Sequence, residues 1–420
     1  MDILVTWLVL MLFFLALGYM LGVRSKAAAL VAAEALPKPA IGSGRLASLQ
    51  ERIMPILAVA DHQVQGGAVF FEGKLRADPE HSLAELRRVF DADEFTPILE
   101  EGRHGGQVKV ALVPGISHLA PEHAGLEQPK WAVHWLLFGL TILTTTWAGA
   151  LHAGVDLLKE PGRFAVGLPY SLGLMLILGA HELGHYFAAR RHGIRVTPPY
   201  FIPVPFALGT FGAFIKLKSL APDRRAGFDV AVAGPLAGLV FAIPALLIGL
   251  RYSHVVMGAP SNDILHTGVQ VGSSFLLATL AKIALGASTI EGNQLILHPL
   301  AFAGWLGLFV TALNLLPIGQ LDGGHIAHAM FGLRRGHAIS VGALITLFAL
   351  ALFVWPGLMM WALIVWFIAG TRDVPPLNDV TPLNPARRAL GWLAFLLLAG
   401  ILIPVPHALY PSFGIHSPYL

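Results

Sequence analysis

"GAHELGHYFAARRHG", residues 179–193, follows "GLPYSLGLMLIL" at the end of the apolar run 164–189, which has the length and composition of a membrane-crossing helix. Two histidines and a glutamate stand where such a helix carries leucine. Ionisable side chains at membrane depth are costly unless they face a cavity, a partner or a metal, so their position alone points to chemistry. His181 and His185 are four residues apart, so on a helix both imidazoles project from one face and can bind a single zinc ion, with Glu182 beside them as a base. His181 lies nine residues before Arg190, the start of the charged end. At ~1.5 Å per residue that is a depth of roughly 14 Å, inside the bilayer.

The rest of the chain agrees with a membrane reading. Of 420 residues, 55% are hydrophobic and 13% charged, which excludes an ordinary soluble protein. The net charge of +3 is spread between apolar runs and forms no basic patch with interleaved aromatics, so no nucleic-acid partner is expected. There is no cysteine, so a metal here must use His, Asp or Glu.

Apolar runs at 3–23, 131–154, 164–189, 228–250, 300–316, 337–355, 358–370 and 390–405 predict an α-helical polytopic membrane protein of about eight transmembrane helices. The first run is flanked by Asp2, Arg24 and Lys26 and reads as a retained anchor rather than a signal peptide. Lys and Arg favour the cytoplasmic side of short loops. With the anchor running inward, Arg190, Arg191, Arg195, Lys216, Lys218, Arg224, Arg225, Arg334, Arg335, Arg372, Arg387 and Arg388 fall inside, whereas only Lys159, Arg163, Arg251 and Lys282 fall outside. The expected organisation is an anchor at 1–23, a cytoplasmic linker and small α+β soluble domain at 24–130, a core at 131–370, and a loop with the last span at 371–420. Within the soluble part, "RLASLQERIMPILAVA" has helical spacing, "GGAVFFEGKL", "FTPILEE" and "GQVKVALVPG" read as strands, and "SLAELRRVF" as a helix.

Two segments fit neither span nor loop. "TPPYFIPVPFALGTFGAFIKLKS" (197–219) is apolar yet rich in proline and glycine, so it reads as a re-entrant β-like hairpin lining a cavity. "VGSSFLLATLAKIALG" (271–286) reads as an interfacial or re-entrant helix on the outer side.

A zinc site of the HExxH kind needs a third protein ligand and leaves a position for water. The candidate is Asp322 in "NLLPIGQLDGGH" (314–325), near the inner end of the run that starts at Leu300. Asn314 and Pro317 break that run, and Gly323 with Gly324 should let the backbone bend so that the carboxylate points inward. Both motif helices run outside to inside in the proposed topology, which brings His181 and Asp322 to one leaflet. His192 reads as an interfacial polar residue, and His325 as a candidate neighbour of the ligands.

"HELGH" together with "NLLPIGQLDGG" resembles the site-2 protease family of intramembrane zinc metalloproteases, whose paired signatures are HExxH and NxxPxxxLDG. The resemblance covers about residues 131–370. It implies His181, His185 and Asp322 as zinc ligands, Glu182 as catalytic acid/base and Asn314 as a polar helper near the substrate carbonyl. "AVAGPLAG" (231–238) is similar to the family's Gly-Pro segment; close helix packing explains its small residues equally well. The hairpin and the preceding soluble domain look most like the plastid, cyanobacterial and bacterial branch without a PDZ domain, since residues 251–297 are too few and too apolar to hold one. The implied activity is hydrolysis of peptide bonds in or near the transmembrane segments of membrane-protein substrates. The implied place is a lipid bilayer, the bacterial inner membrane, with the site toward the cytoplasm. A catalytically inactive relative that binds membrane segments is the alternative; a transporter with broken helices would need a second, matching half, and no internal repeat is visible.

Overall fold

The computed structural model describes residues 41–65, 67–90, 95–114, 130–205, 208–257, 274–286, 293–353 and 358–403. The expected anchor at 3–23 lies outside the described residues, as do 258–273 and 287–292 of the segment 251–297 and the end of the last run.

The first described unit is a four-stranded antiparallel sheet with two helices. Helix α1 (Ser43–Ile53) leads into β1 (Leu57–Gln65), β2 (Ala68–Leu75), α2 (Pro79–Val89), β3 (Thr96–Glu101) and β4 (Val108–Val113), in the spatial order β1-β2-β4-β3. The helical spacing of residues 45–60 therefore holds only to Ile53. Pro55 cannot continue the helix, and the residues after it pair with β2 as an edge strand. Because β1 is exposed over most of its length, it shows little of the apolar alternation that would mark a strand. Helix α2 starts where Asp78 accepts hydrogen bonds from the Glu80 and His81 amides and Pro79 takes the first turn. Leu49, Ile53, Leu86 and Phe90 pack on Val69, Phe71, Leu99 and Val110.

The helical region follows with α3 (Trp131–His152), a 3-10 turn (Pro161–Gly167), α4 (Leu168–Arg191), α5 (Arg224–Arg251), α6 (Phe275–Leu285), α7 (Pro299–Leu315), α8 (Asp322–Phe331), α9 (Leu333–Phe353), α10 (Leu358–Ile368) and α11 (Pro385–Leu402). Among the described residues, five helices are long and apolar enough to cross a membrane: α3, the 3-10 turn with α4, α5, α9 and α11. The expected runs at 300–316 and 358–370 form shorter apolar helices, α7 and α10, and α6 is a third. Among the described residues, seven of the eight expected runs thus appear as five long helices and two shorter ones, because hydropathy registers an apolar run whether or not the helix in it reaches full length.

Helices α4, α5 and α7 form the centre. They come close because glycines face backbone at the crossings: a methyl on Gly184 would strike the Ala233 carbonyl, and one on Gly249 would strike Ala301. Strands β5 (Tyr200–Pro203) and β6 (Thr210–Phe214) pair antiparallel as the hairpin expected within 197–219, and β7 (His254–Met257) pairs with β8 (Asn293–Ile296). The hairpin is tied to α3 by Thr144, whose hydroxyl donates to the Gly209 carbonyl at 2.7 Å.

The sheet is joined to the helical region. Leu99 of β3 forms a parallel bridge with Asn378 in the loop between α10 and α11, and its amide donates to the Leu377 carbonyl at 2.9 Å. Leu220 and Leu377 are buried in the same apolar cluster as the sheet. This contact is at the Arg224 end of α5, the end that the distribution of Lys and Arg assigns to the inside.

Candidate metal centre

His181, Glu182 and His185 sit in the second half of α4, and all three are buried. The i, i+4 spacing brings the two imidazoles together, with Nε2 atoms 3.1 Å apart. His185 is oriented by the helix beside it: its Nδ1 lies 2.7 Å from the Val230 carbonyl of α5, so Nδ1 donates and Nε2 keeps its lone pair toward the centre. Gly234 of α5 lies against the His185 ring, and Gly238 against His181; a methyl at Gly234 would occupy the space of the imidazole. The small residues of "AVAGPLAG" therefore serve helix packing and leave room for a particular side chain.

Asp322 arrives from across the bundle. Helix α7 ends at Leu315, the chain turns through Leu316–Leu321, and Asp322 is the first residue of α8. One of its carboxylate oxygens lies 3.3 Å from His181 Nε2 and 3.3 Å from His185 Nε2. The bend is made by Gly319, at φ 48°, rather than by Gly323 and Gly324. Those two are already helical, and they are glycines because the Leu315 and Gly319 carbonyls press against them. Asn314 closes the group, its amide nitrogen 3.3 Å from His181 Nε2.

The three donor atoms form a triangle with sides of 3.1, 3.3 and 3.3 Å. Zinc takes imidazole nitrogen and carboxylate oxygen at about 2.0–2.2 Å, and tetrahedral angles then place donors about 3.3 Å apart. The set fits one such ion. Among the described residues, His181, His185 and Asp322 are the group of three with that arrangement.

Glu182 points to the same space and accepts a hydrogen bond from the Ile215 amide just beyond β6. A cavity of about 430 Å³ joins these parts; His181, Glu182, His185, Asn314 and Asp322 line it with Ala213, Phe214 and Ile215. It continues past the triad to His325, His328 and Asp373.

His325 and His192 are engaged elsewhere. His325 Nδ1 pairs with Asp373 at 2.7 Å, and His192 Nε2 pairs with Asp229 at 2.9 Å, where Arg387 also makes a two-pronged contact. Sequence reasoning missed the polar group around His325 altogether. His328 Nδ1 lies 2.6 Å from Asp373 and its Nε2 3.0 Å from both oxygens of Asp379, while Arg224 reaches Asp379 at 3.0 Å and Glu101 at 2.7 Å. Burial alone would lower the His328 pKa, but the hydrogen bonds and charges of Asp373 and Asp379 outweigh it and push it up to about 10. Two carboxylates in one short loop between apolar helices, Asp373 and Asp379, were the available signal.

Residues 169–355 match the model of peptidase family M50. This segment is similar to peptidase family M50, the site-2 protease family. Its bounds take in α4 with both histidines and α8 with Asp322. Similar curated proteins are plant members: probable zinc metalloprotease EGY1, chloroplastic, of Arabidopsis thaliana is 37% identical over 261 residues, 59% of this chain and 45% of that protein. Probable zinc metalloprotease EGY2, chloroplastic, of the same plant is 30% identical over 368 residues, 83% of this chain and 62% of its own. The EGY1 protein of Oryza sativa subsp. japonica is 34% identical over 384 residues, covering 83% and 65% respectively. The chain thus spans about half to two thirds of the length of these relatives. The latter two alignments extend well beyond the M50 domain. No solved structure matches.

Proposed function

We propose that this protein is an intramembrane zinc metalloprotease, hydrolysing peptide bonds in or beside the membrane-spanning segments of other proteins. The observation that carries the reading is the triangle of donor atoms, 3.1–3.3 Å on a side, with Glu182 in the same buried cavity. In this reading His181, His185 and Asp322 hold zinc, and bound zinc supplies Lewis acidity toward a peptide carbonyl and a water. Glu182 takes the proton of the attacking water and returns it to the leaving amine. The Ile215 amide aims the carboxylate, and the Val230 carbonyl keeps His185 in the tautomer whose Nε2 faces the centre. The Asn314 amide, beside His181, steadies the scissile carbonyl.

A substrate helix keeps its amides in its own hydrogen bonds, so cleavage requires local unwinding and new partners for the freed groups. Ala213, Phe214 and Ile215 line the cavity, so an unwound segment added alongside β6 lies next to Glu182. Deleting residues 204–214 should abolish cleavage with zinc retained; full activity in that deletion refutes the role and leaves the hairpin as a seal.

Residues 131–370 are read as the protease core, 24–130 as a cytoplasmic soluble domain and 371–420 as a loop and last span, with about eight spans once the anchor at 1–23 and the shorter helices α7 and α10 are counted. The relatives are chloroplastic plant proteins and lend no support to the bacterial inner membrane expected from the sequence. The proposal therefore stops at a multi-pass membrane protein whose site opens toward the side bearing the sheet.

The test pairs zinc content of the purified full chain with cleavage of a single-span membrane reporter. Bound zinc with cleavage lost in Glu182→Gln supports the reading. Bound zinc with no Glu182-dependent cleavage makes the chain the inactive, segment-binding relative.

A further inference from the structure

Helix α8 is short, ten residues or about 15 Å, and both of its ends are spoken for. Asp322 at its start faces the two imidazoles. Gly332, just past its end, has a positive φ and lies against the carboxylate of Glu101, the last residue of β3. Between those ends, a continuous run of ion pairs follows the helix. His325 and His328 share Asp373, at 2.7 and 2.6 Å; His328 continues to Asp379 at 3.0 Å; Arg224 takes Asp379 at 3.0 Å and returns to Glu101 at 2.7 Å. Arg224, His328 and Asp379 are buried. The loop carrying Asp373 and Asp379 is itself pinned to the sheet, since the Asp379 amide donates to the Leu99 carbonyl at 2.8 Å.

We propose that the four-stranded sheet is a positioning element of the metal centre, holding Asp322 in place through α8 by the chain Glu101–Arg224–Asp379–His328–Asp373, whose three middle members are buried. The inference rests on the metal-centre reading above and extends it to residues remote from the ions' donors. The two histidine pairs are set in opposition: His181 and His185 reach Asp322 from α4, whereas His325 and His328 anchor the helix that carries Asp322 to the other side. A short helix held by carboxylates along its length cannot rotate or slide without breaking several pairs at once. An event that parts β3 from residues 377–379 would release it, so a partner engaging that strand has a route to the metal.

The experiment measures zinc affinity of the full chain in detergent by competition with a fluorescent chelator, and does not depend on proteolysis. Asp373→Asn should weaken zinc about tenfold, by analogy with outer partners of metal ligands. Glu101→Gln, half exposed and acting through more side chains, should weaken it roughly threefold. Asp61→Asn on β1 should leave it unchanged. On an Asp322→Asn background the Glu101→Gln step should produce no further loss. Equal zinc affinity in the intact, Glu101→Gln and Asp373→Asn chains overturns the proposal, and so does an undiminished Glu101→Gln effect when Asp322 is already replaced. If Asp373→Asn does not fold, the Glu101→Gln pair decides. Failure of the intact chain to bind zinc overturns the metal-centre reading and this inference together, whereas tight binding that is insensitive to both variants overturns this inference alone.

Discussion

Two clusters of histidine and aspartate flank one turn of α8, and they are built on opposite rules. In the first, His181, His185 and Asp322 aim three acceptor-type atoms at one point, 3.1–3.3 Å apart, with nothing cationic between them. In the second, His328 has both ring nitrogens on carboxylates, and Arg224 and His325 fill the remaining positions. Lone pairs converging on a shared centre describe a ligand set. Alternating donors and acceptors describe an internal ion network that needs nothing added. Residue type alone does not separate the two; the direction in which each nitrogen points does.

Replacing one group in each cluster is the sharpest way to break that distinction. Glu182→Gln, at the first cluster, should lower cleavage by about 10²–10⁴-fold with zinc content unchanged. His328→Leu, at the second, should leave two buried carboxylates short of a partner, cost ~3–5 kcal/mol of stability and lower the melting temperature measured with zinc saturating. If His328→Leu instead strips zinc as fully as replacing His185 does, the two clusters are one site.

Gly234→Ala tests whether the first cluster depends on packing from α5. The added methyl competes with the His185 ring, so it should destabilise the fold by ~1–3 kcal/mol and reduce zinc content. Gly162→Ala, where a methyl meets nothing, should do neither. Wild-type zinc binding in Gly234→Ala would show that α4 alone orients the ligand.

The second cluster should also respond to pH in a known direction. His328 titrates at about 10 in the fold against 6.5 ordinarily, so its contribution to stability is complete below 6.5 and is lost as pH rises through 10. Melting temperature should fall between pH 7 and 10 and fall less in His328→Gln; parallel curves would remove His328 as the cause. The smallest effect is expected at the third carboxylate cluster, His192–Asp229–Arg387. These side chains are about one quarter exposed, so Asp229→Asn should cost about 0–1 kcal/mol and leave zinc affinity unchanged.

How much was legible follows from the range of the interactions. His181, Glu182 and His185 were readable because four residues along a helix return to the same face whatever surrounds it. The hairpin was readable from its prolines and glycines, and three of the four sheet strands from their own composition. Strand β1 was not, because an exposed edge carries little apolar pattern, and the lengths of the helices at 300–316 and 358–370 were not, because apolar length and helix length differ at α7 and α10.

The sequence by itself determined an HExxH motif on a helix long and apolar enough to cross a membrane, and named Asp322 as its distant partner. Only the tertiary structure decided that Asp322 starts a new short helix, that Gly234 makes room for His185, and that Glu101, Arg224, His328, Asp373 and Asp379 meet. The reason is separation along the chain. Arg224 and Asp379 are 155 residues apart, and no local periodicity reports a contact made when a loop is laid between a sheet and the end of a helix.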